Sequence, residues 1–360
     1  MNIAMFGQKQ TPFPSGGVEA VVGELSVRMT RHGHAVTCCD RGGRKEDWKG
    51  VAIRPVPAFG GKGLAAVISS FFAAVLSAAG NAQVVHIHAE GPAFWCWIPK
   101  LVGKRIVVTI HGLDWQREKW KGSMGAWYIR LGERMAVRFA DQIIVLSHSA
   151  QSYFLQTYER ETVRIPNGIT PANRIPAQQI KEIFQLEEDG YLLFLGRLVP
   201  EKGIHYLIEA YCGMKTERKL VIAGGASDTE GYVARLRKLA EGDERICFTG
   251  FVSGQVREEL YSNAWAYILP TDLEGMPLSL LEAMGYGNCC LTSDIPECTE
   301  VTDDAALHFE KGNIAQLRER LDHICRDQAL VLQYREKAQK AVEDKYDWEK
   351  IVEETLELYQ

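Results

Sequence analysis

The chain alternates short apolar runs with helical apolar periods, and this alternation starts again near the middle of the sequence. Residues 2–6 form a strand-like run, and residues 18–29 then repeat apolar side chains with the period of one helix face. Further strand-like runs occupy residues 35–38, 84–88, 106–110 and 142–146. Several are apolar throughout, which is typical of parallel strands covered on both faces.

A second series follows a break at residues 165–168, where proline and Asn-Gly interrupt any helix. Its strand-like runs are residues 191–195, 220–223, 246–249, 266–269 and 289–292. Two successive βαβ series predict an α/β fold of two Rossmann-like, doubly wound domains that face each other across a cleft. We expect these domains at residues 1–166 and 167–345. Residues 346–360 predict an amphipathic helix, with the first domain as its candidate packing surface.

Charge is distributed unevenly along a chain whose composition, 46% hydrophobic and 24% charged, is that of a globular protein. The formal net charge is −5, yet residues 1–170 hold 20 Lys and Arg against 12 Asp and Glu, a net of +8. The basic half is therefore expected to face anionic or membrane-associated partners. Nucleic acid is not an expected partner, because the whole chain is acidic and lacks a recognisable binding module.

Cysteine usage and hydropathy indicate the cellular location. The nine cysteines include no C-x-x-C pair, which favours reduced thiols and a cytoplasmic protein. The first residues lack the basic region and cleavage site of a signal peptide. Residues 64–79 are apolar but include three serines and fall short of the roughly 20 residues that span a bilayer, so we expect a buried helix there.

Glycines after the first strand are the first candidate ligand contact. Neither G-x-G-x-x-G nor G-x-x-x-x-G-K-[ST] occurs, which weakens a nicotinamide dehydrogenase interpretation. Gly16 and Gly17 instead precede the first helix, where the backbone and the helix N-terminus could approach an anion. A plain tight turn explains the same two residues.

Two basic residues follow a strand of the second series, in the run GRLVPEKG at residues 196–203. Ligands of doubly wound folds bind at the carboxyl ends of the strands. Arg197 offers a bidentate fork and Lys202 a point charge, which together suit a diphosphate. Two solvated surface cations are the alternative interpretation.

The run EGMPLSLLE, residues 274–282, places two glutamates seven residues apart after another strand. Pro277 suits the first turn of a helix, so Glu274 would lie in the loop and Glu282 on the helix. Such carboxylates can hold hydroxyls at two ends of one ligand while the helix N–H groups hold phosphates. Two surface glutamates would not explain acids among Leu, Met and Pro, because a buried carboxylate needs a partner.

These motifs in this order resemble the retaining family 4 glycosyltransferases of the GT-B fold. The resemblance rests on Gly16-Gly17, IPNGI at 165–169, GRLVPEKG, IAGG at 222–225, FTGFV at 248–252 and EGMPLSLLE, and it spans essentially the whole chain. The N-terminal region and HGLDWQREKW at 111–120 look most similar to members that build bacterial cell-surface polysaccharides, including rhamnosyltransferase-like ones.

The resemblance implies a nucleotide-diphosphate sugar donor, bound mainly by the second domain, and an acceptor bound mainly by the first. It implies that Arg197 and Lys202 stabilise the leaving diphosphate, that Glu274 contacts the sugar, and that His111 lies in the cleft. The donor-binding positions carried over are Gly16, Gly17, Gly250, Val252, Gly275, Met276, Leu278, Ser279 and Glu282. Met276-Pro277 departs from the aromatic residue followed by glycine or proline that many relatives carry, which bears on sugar choice.

Histidines and tryptophans of the first half leave alternatives open. His86 and His88 share one strand face and could join His111 in a zinc site, but no carboxylate or thiolate completes the set, so we expect no metal. Residues 115–138 interleave aromatic and basic side chains, which suits a membrane interface or a lipid-diphosphate acceptor. An amphipathic helix with buried tryptophans explains the pattern equally well.

The sequence thus predicts a metal-independent, retaining glycosyltransferase that needs no cofactor besides its donor, a UDP- or dTDP-sugar. The acceptor would be a hydroxyl of a glycan or lipid-linked sugar in cell-surface polysaccharide synthesis, with the enzyme in the cytoplasm or at the inner face of the cell membrane. A hydrolysing sugar-nucleotide epimerase and a non-catalytic sugar-nucleotide-binding GT-B protein remain as alternatives.

Overall fold

The computed structural model describes residues 1–11, 16–343 and 345–360. The chain forms two compact units. Unit 1 comprises Met1–Gly168 and Trp348–Gln360, and unit 2 comprises Ile169–Asp347. The sequence-based boundaries at 166/167 and 345/346 lie two residues before these divisions.

Unit 1 is built, over its described residues, on an eight-stranded sheet in the order β3-β4-β2-β1-β5-β6-β7-β8. Its neighbouring strands run parallel except for β3 and β4, which are antiparallel. The strands are β1 (Asn2–Phe6), β2 (Ala35–Arg41), β3 (Glu46–Trp48), β4 (Val51–Val56), β5 (Val84–His88), β6 (Arg105–Ile110), β7 (Gln142–Val145) and β8 (Val163–Arg164).

Helices connect these strands and cover the sheet. They are α1 (Gly17–Arg31), α2 (Lys62–Ala79), α3 (Glu90–Ala93), α4 (Trp97–Leu101), α5 (Met124–Phe139) and α6 (His148–Tyr158), with short 3-10 turns at Asp114–Gln116 and Glu118–Trp120. All five residues of β5 are buried, His86 and His88 included, which is typical of a parallel strand covered on both faces.

Unit 2 has, over its described residues, a six-stranded parallel sheet in the order β11-β10-β9-β12-β13-β14. Its strands are β9 (Tyr191–Leu195), β10 (Lys219–Ala223), β11 (Ile246–Gly250), β12 (Ala266–Leu269), β13 (Cys289–Ser293) and β14 (Leu307–Phe309). Its helices are α7 (Gln179–Phe184), α8 (Ile204–Cys212), α9 (Glu230–Leu239), α10 (Gly254–Asn263), α11 (Leu278–Gly285), α12 (Pro296–Thr302), α13 (Ile314–Arg326) and α14 (Gln328–Glu343), with a 3-10 turn at Pro200–Lys202.

The last helix, α15 (Trp348–Glu357), belongs to unit 1 and packs on α1. Glu349 accepts a hydrogen bond of 2.6 Å from Arg28, and the buried hydroxyl of Tyr359 lies 2.6 Å from His86 Nδ1. The C-terminal segment therefore completes the unit in which the chain begins.

Two features of unit 1 differ from the sequence-based expectations. The β3–β4 hairpin was not predicted, because β4 contains the polar Arg54 and the strand-disfavouring Pro55. The expected buried helix at residues 64–79 exists as α2, but only one of its faces is buried. Five of its large apolar side chains are exposed, so the expectation of a buried helix is wrong for this face.

Candidate functional site

The candidate donor-binding residues of unit 2 lie at one edge of its sheet. Strands β11, β10, β9 and β12 are consecutive neighbours and all parallel, so their carboxyl ends share this edge. The loops that follow these strands carry the predicted ligand contacts, which the sequence separates by tens of residues. This is the edge at which doubly wound folds bind ligands.

The loop after β9 is held against the loop after β10. Gly196 donates to Ala223 and Leu198 donates to Gly225, each at 3.0 Å. Gly224 has φ of +150°, and a Cβ added there would lie 1.8 Å from the carbonyl oxygen of Gly196. Only glycine fits this contact, which fixes the backbone on either side of Arg197.

The next part of the same loop is held against the loop after β12. The carbonyl of Glu201 accepts hydrogen bonds from the Asp272 N–H at 2.7 Å and from the Thr271 hydroxyl at 2.9 Å. Gly203 has φ of +64°, and an added Cβ would lie 1.9 Å from the carbonyl oxygen of Pro270. The two loops therefore approach each other backbone to backbone, directly beside Lys202.

Lys202 and Glu274 meet across this junction. The Lys202 ammonium donates to the Glu274 carboxylate, and both side chains are largely buried. A buried ion pair is costly to assemble unless further hydrogen bonds satisfy its remaining donors and acceptors. An ammonium has three N–H donors, so Lys202 can hold Glu274 and also bind an anionic ligand.

Glu282 lies on α11, more than one turn beyond Glu274, as the sequence predicts. Its carboxylate accepts from the Tyr261 hydroxyl at 3.1 Å and from Arg257 at 3.3 Å. Burial raises the pKa of Tyr261 well above its ordinary value, so this phenol remains a donor. The carboxylate is thus held by two fixed donors while its side chain remains partly exposed.

The remaining unit 2 positions lie around the same edge. Gly250 ends β11 with φ of +72°, and its carbonyl accepts from the Gly224 N–H at 2.8 Å. Val252 follows it. Gly275 and the buried Met276 precede α11, whose first residues are Leu278 and Ser279. Ser279 Oγ lies 2.8 Å from the Tyr267 hydroxyl. The structure thus gathers the unit 2 candidates, while their individual roles stay predictions.

Gly16 and Gly17 lie at the start of α1, which follows β1 in unit 1. Gly16 has φ of +125°, and an added Cβ would lie 2.0 Å from the Glu19 carboxylate. Glu19 also accepts from the Lys9 N–H at 3.0 Å. An anion at this helix N-terminus would therefore have to displace the Glu19 carboxylate from beside Gly16. Residues 12–15 of the predicted loop lie outside the described residues.

His111 follows β6 and contacts a second histidine. Its Nε2 lies 3.0 Å from Nδ1 of His88, and the His88 ring lies 4.2 Å from that of His86. Burial lowers the pKa of His111 to about 4 and that of His86 to about 3. Burial also lowers the pKa of His88 well below its ordinary value, so all three rings are neutral near pH 7. His111 is therefore suited to hydrogen bonding and not to providing positive charge. Tyr359 and Thr109 fix His86 from its two nitrogens, each at 2.6 Å.

A pair of buried glutamates beside this cluster was not predicted from the sequence. Glu90 accepts from the Asp114 N–H at 2.9 Å, and Glu133 accepts from the indole of Trp115 at 3.3 Å. Burial, followed by the nearby charges of Asp114 and Glu133, raises the pKa of Glu90 well above its ordinary value. The pair fixes the loop that follows His111. The available signal was the position of Glu90, an acid two residues after the buried strand β5.

The described residues give two observations on the alternatives that the first half leaves open. Within residues 1–11, 16–343 and 345–360, no group of three or more His, Cys, Asp or Glu side chains is arranged to hold a metal ion. Among residues 115–138, Trp127 is 64% exposed and Met124 is 86% exposed. Trp115 and Trp120 are half-buried. Buried tryptophans therefore explain only part of this segment. Nor is any helix in the described part of the chain long and apolar enough to cross a membrane.

The sequences of both units match models of known protein families. The protein-family model described as Glycosyl transferases group 1 matches residues 177–341, and the family model described as Glycosyltransferase Family 4 matches residues 15–173. Sucrose-phosphate synthase from Thermosynechococcus elongatus has a similar structure, with a TM-score of 0.84, 19% identity and coverage of 99% of this chain and 98% of that one. The Anabaena protein HepE in complex with UDP and glucose has a TM-score of 0.81 at 18% identity, covering 99% and 98% of the two chains.

Sequence relatives include the alpha-maltose-1-phosphate synthase of Mycobacterium tuberculosis, 26% identical over 397 residues and covering 100% of this chain and 99% of the relative. The O-antigen chain mannosyltransferase RfbU of Salmonella typhimurium is 27% identical over 184 residues, half of each chain. With two parallel-sheet units and these matches, the protein is a glycosyltransferase of the GT-B fold. It belongs to glycosyltransferase family 4.

Proposed function

We propose that the protein transfers a sugar, with retention of anomeric configuration, from a UDP- or dTDP-sugar to a hydroxyl of a glycan or lipid-linked acceptor in cell-surface polysaccharide synthesis. The observation that carries this proposal is the cluster at the carboxyl edge of the unit 2 sheet. There the loop that carries Arg197 and Lys202 is tied by a backbone hydrogen bond to the loop that carries Glu274, and Lys202 contacts Glu274. Glu282 follows on α11. A cation for a diphosphate thus lies beside a carboxylate that can accept from a sugar hydroxyl.

The relatives support the chemistry of the two substrates. HepE binds UDP and glucose in its solved structure, and RfbU is an O-antigen chain mannosyltransferase. A uridine diphosphate donor and a polysaccharide acceptor are therefore the substrates that we propose first. Arg197 and Lys202 would hold the diphosphate, Glu282 the ribose hydroxyls and Glu274 the donor sugar.

The proposed reaction is a front-face displacement. The bond between the anomeric carbon and the diphosphate oxygen breaks while the acceptor oxygen bonds to that carbon from the same side. The acceptor proton passes to the departing phosphate. Arg197 and Lys202 stabilise the growing negative charge on the diphosphate, and preorganised charge of this kind is usually the largest catalytic contribution. His111, neutral and fixed by His88, would hydrogen-bond near the reacting sugar.

We propose further that neither a metal ion nor a separate cofactor takes part. The support is the chemistry of the site, since two cationic side chains can neutralise the diphosphate charge that a divalent ion neutralises elsewhere. Transfer that persists at full rate in excess EDTA would support this, and a strict requirement for added Mg²⁺ or Mn²⁺ would contradict it.

The donor class is tested by thermal unfolding with UDP, dTDP, GDP and ADP and their common diphosphate sugars. At a hundredfold excess over Kd, a ligand adds about 2.7 kcal/mol of stability, which raises the melting temperature clearly. We expect UDP or dTDP to give this shift in the native protein and a much smaller one in Lys202→Ala. A protein that no nucleotide stabilises would contradict the proposal.

The products then separate the proposal from its alternatives. Incubation of the stabilising sugar nucleotide with acceptors should yield an α- or β-linked product of the same anomeric configuration as the donor, as read by NMR. Conversion of the donor alone into a new sugar would instead indicate an epimerase.

We place the reaction at the cytoplasmic face of the membrane, with residues 115–138 towards the lipid, because Trp127 and Met124 are exposed there.

A further inference from the structure

Helix α2 is amphipathic in the reverse sense of an ordinary surface helix. Its buried face consists of small residues, namely Ser69, Ser70, Ala73, Ala74 and Ser77. The three serine hydroxyls donate to carbonyls of their own helix, such as Ser77 to Ala73 at 2.7 Å. Small side chains and self-satisfied hydroxyls let the helix lie close to the sheet.

The opposite face of α2 carries five large apolar residues. Leu64, Phe71, Phe72, Val75 and Leu76 are between 36% and 56% exposed. They recur at helical spacing, and residues 63–79 contain no charged side chain. An apolar stripe of this kind contributes little to the core of unit 1. Contiguous exposed apolar surface of this kind marks an interaction site.

Aromatic contacts extend this stripe towards α5. The ring of Phe71 packs edge-on against Trp95 at 4.9 Å, Trp95 contacts Phe94 at 4.7 Å, and Phe94 contacts Tyr128 at 5.1 Å. Tyr128 is next to Trp127, which is exposed on α5. The apolar surface therefore continues from one helix to the other within unit 1.

The carboxylates of helices α2 to α6 are buried, whereas arginines of α5 are exposed. Helices α2 to α6 contain two carboxylates, Glu90 and Glu133, and both are fully buried. Arg130, Arg134 and Arg138 form an exposed stripe on α5. Three acids of the adjoining loops are paired with cations, namely Asp114 with Arg117, Glu118 with Lys121 and Asp141 with Lys100. The exposed helical surface is thus apolar and cationic.

From these observations we infer that the outer face of α2, together with the exposed stripe of α5, docks unit 1 on an anionic phospholipid surface. Apolar side chains enter the boundary between headgroups and acyl chains, and arginines bind the lipid phosphates. A dimer formed through the same face would bring two arginine stripes together with no exposed helical carboxylate to pair them, which disfavours a second copy as the occupant. The inference goes beyond the proposed transfer reaction and extends the proposed contact of residues 115–138 to a helix that the sequence assigned to the core.

Vesicle flotation without donor or acceptor tests the docking surface independently of catalysis. We expect the native protein to float with phosphatidylcholine vesicles containing about a third phosphatidylglycerol, to float weakly with phosphatidylcholine alone, and to be released by high salt. Phe72→Ser with Leu76→Ser should weaken binding at least about tenfold, because both side chains lose their insertion into lipid. Arg134→Gln with Arg138→Gln should remove the preference for anionic vesicles.

The control is Ile183→Ser, which replaces an apolar residue of unit 2 that is more exposed than Phe72 and Leu76 and should leave flotation unchanged. Circular dichroism melting checks that each variant is folded, as expected for changes at exposed positions. Failure of the native protein to bind anionic vesicles, or equal binding by the α2 double variant, overturns the inference. Self-association in sedimentation velocity that the α2 variant abolishes, without vesicle binding, would assign the face to a second copy instead.

Discussion

Lys202 and Glu274, which are 72 positions apart in the sequence, form an ion pair at the carboxyl edge of the unit 2 sheet. Their side chains are 12% and 9% exposed. The pair joins the loop after β9 to the loop after β12, beside the close approach of Gly203 to Pro270. The two residues that we propose for diphosphate and sugar contact are thus positioned by each other.

Removal of either partner should abolish most transfer. We expect Lys202→Ala and Glu274→Ala each to lower kcat/KM by about a thousandfold, because each deletes a group that acts on the donor. Steady-state kinetics measures this, with circular dichroism to show that the fold persists. Lys337→Ala, which breaks the exposed pair with Asp304 in the same unit, should have no effect on rate. Near-normal turnover in either site variant contradicts the assignment.

A double substitution separates a structural role of the pair from a catalytic one. Replacement of a buried ion pair by apolar residues of similar size is often neutral or stabilising. Lys202→Met with Glu274→Leu should therefore regain most of the unfolding free energy lost in the single alanine variants, while transfer stays absent. Recovery of activity along with stability would show that the pair only supports the fold.

Glu282 should contribute to donor binding more than to the chemical step. If its carboxylate holds the ribose hydroxyls, Glu282→Gln raises KM for the donor by roughly ten- to a hundredfold, equivalent to about 1.4–2.8 kcal/mol, with a smaller change in kcat. Neighbouring Glu258→Gln, at an exposed position on α10, serves as the control. An unchanged KM, or a loss confined to kcat, would argue against ribose contact.

Gly203 should tolerate no side chain. An added Cβ would lie 1.9 Å from the Pro270 carbonyl oxygen, and φ of +64° is unfavourable for other residues. We expect Gly203→Ala to destabilise unit 2 by more than about 1 kcal/mol and to lower transfer, because the loop carrying Lys202 must move. Gly231→Ala, where the added Cβ meets no atom within 4 Å, should be neutral or slightly stabilising in urea unfolding.

The buried histidines should make unit 1 sensitive to acid. The pKa of His86 is about 3 and that of His111 about 4 in the folded chain, both lowered by burial from 6.5. The unfolded chain therefore binds protons that the folded chain does not, and stability present above pH 6.5 is lost as pH falls towards 4. Each histidine contributes up to about 1.4 kcal/mol per pH unit in this range.

A comparison of slopes isolates this effect. Asp40, whose pKa burial raises to about 6, acts in the opposite sense, since the folded chain keeps a proton that the unfolded chain releases. The unfolding free energy should therefore be measured by urea between pH 7 and pH 5 in the native protein, His86→Gln and His323→Gln. We expect a shallower pH slope only for His86→Gln, because His323 is exposed. Identical slopes in all three would refute the prediction.

The sequence by itself predicted much of the fold because its signals are local. The apolar runs of β1 and β9 predict the strand bounds that the structure has, 2–6 and 191–195. Strand–loop–helix order also placed Lys202 and Glu274 after strands, hence at a carboxyl edge. Strand β4 was not predicted, because Arg54 and Pro55 interrupt the apolar pattern from which strands are recognised.

Tertiary structure alone decided the relationships that depend on contacts between distant segments. The pairing of Lys202 with Glu274 follows from the neighbouring positions of β9 and β12, which no local pattern specifies. Which face of α2 is buried follows from packing. The face of small serine and alanine residues packs closely on the sheet, so Phe72 and Leu76 remain at the surface. Hydropathy measures how apolar a segment is, whereas burial is determined by which face finds a partner. The sequence therefore predicted which residues are candidates for the chemistry, and the packing of the sheets determined how those residues are arranged.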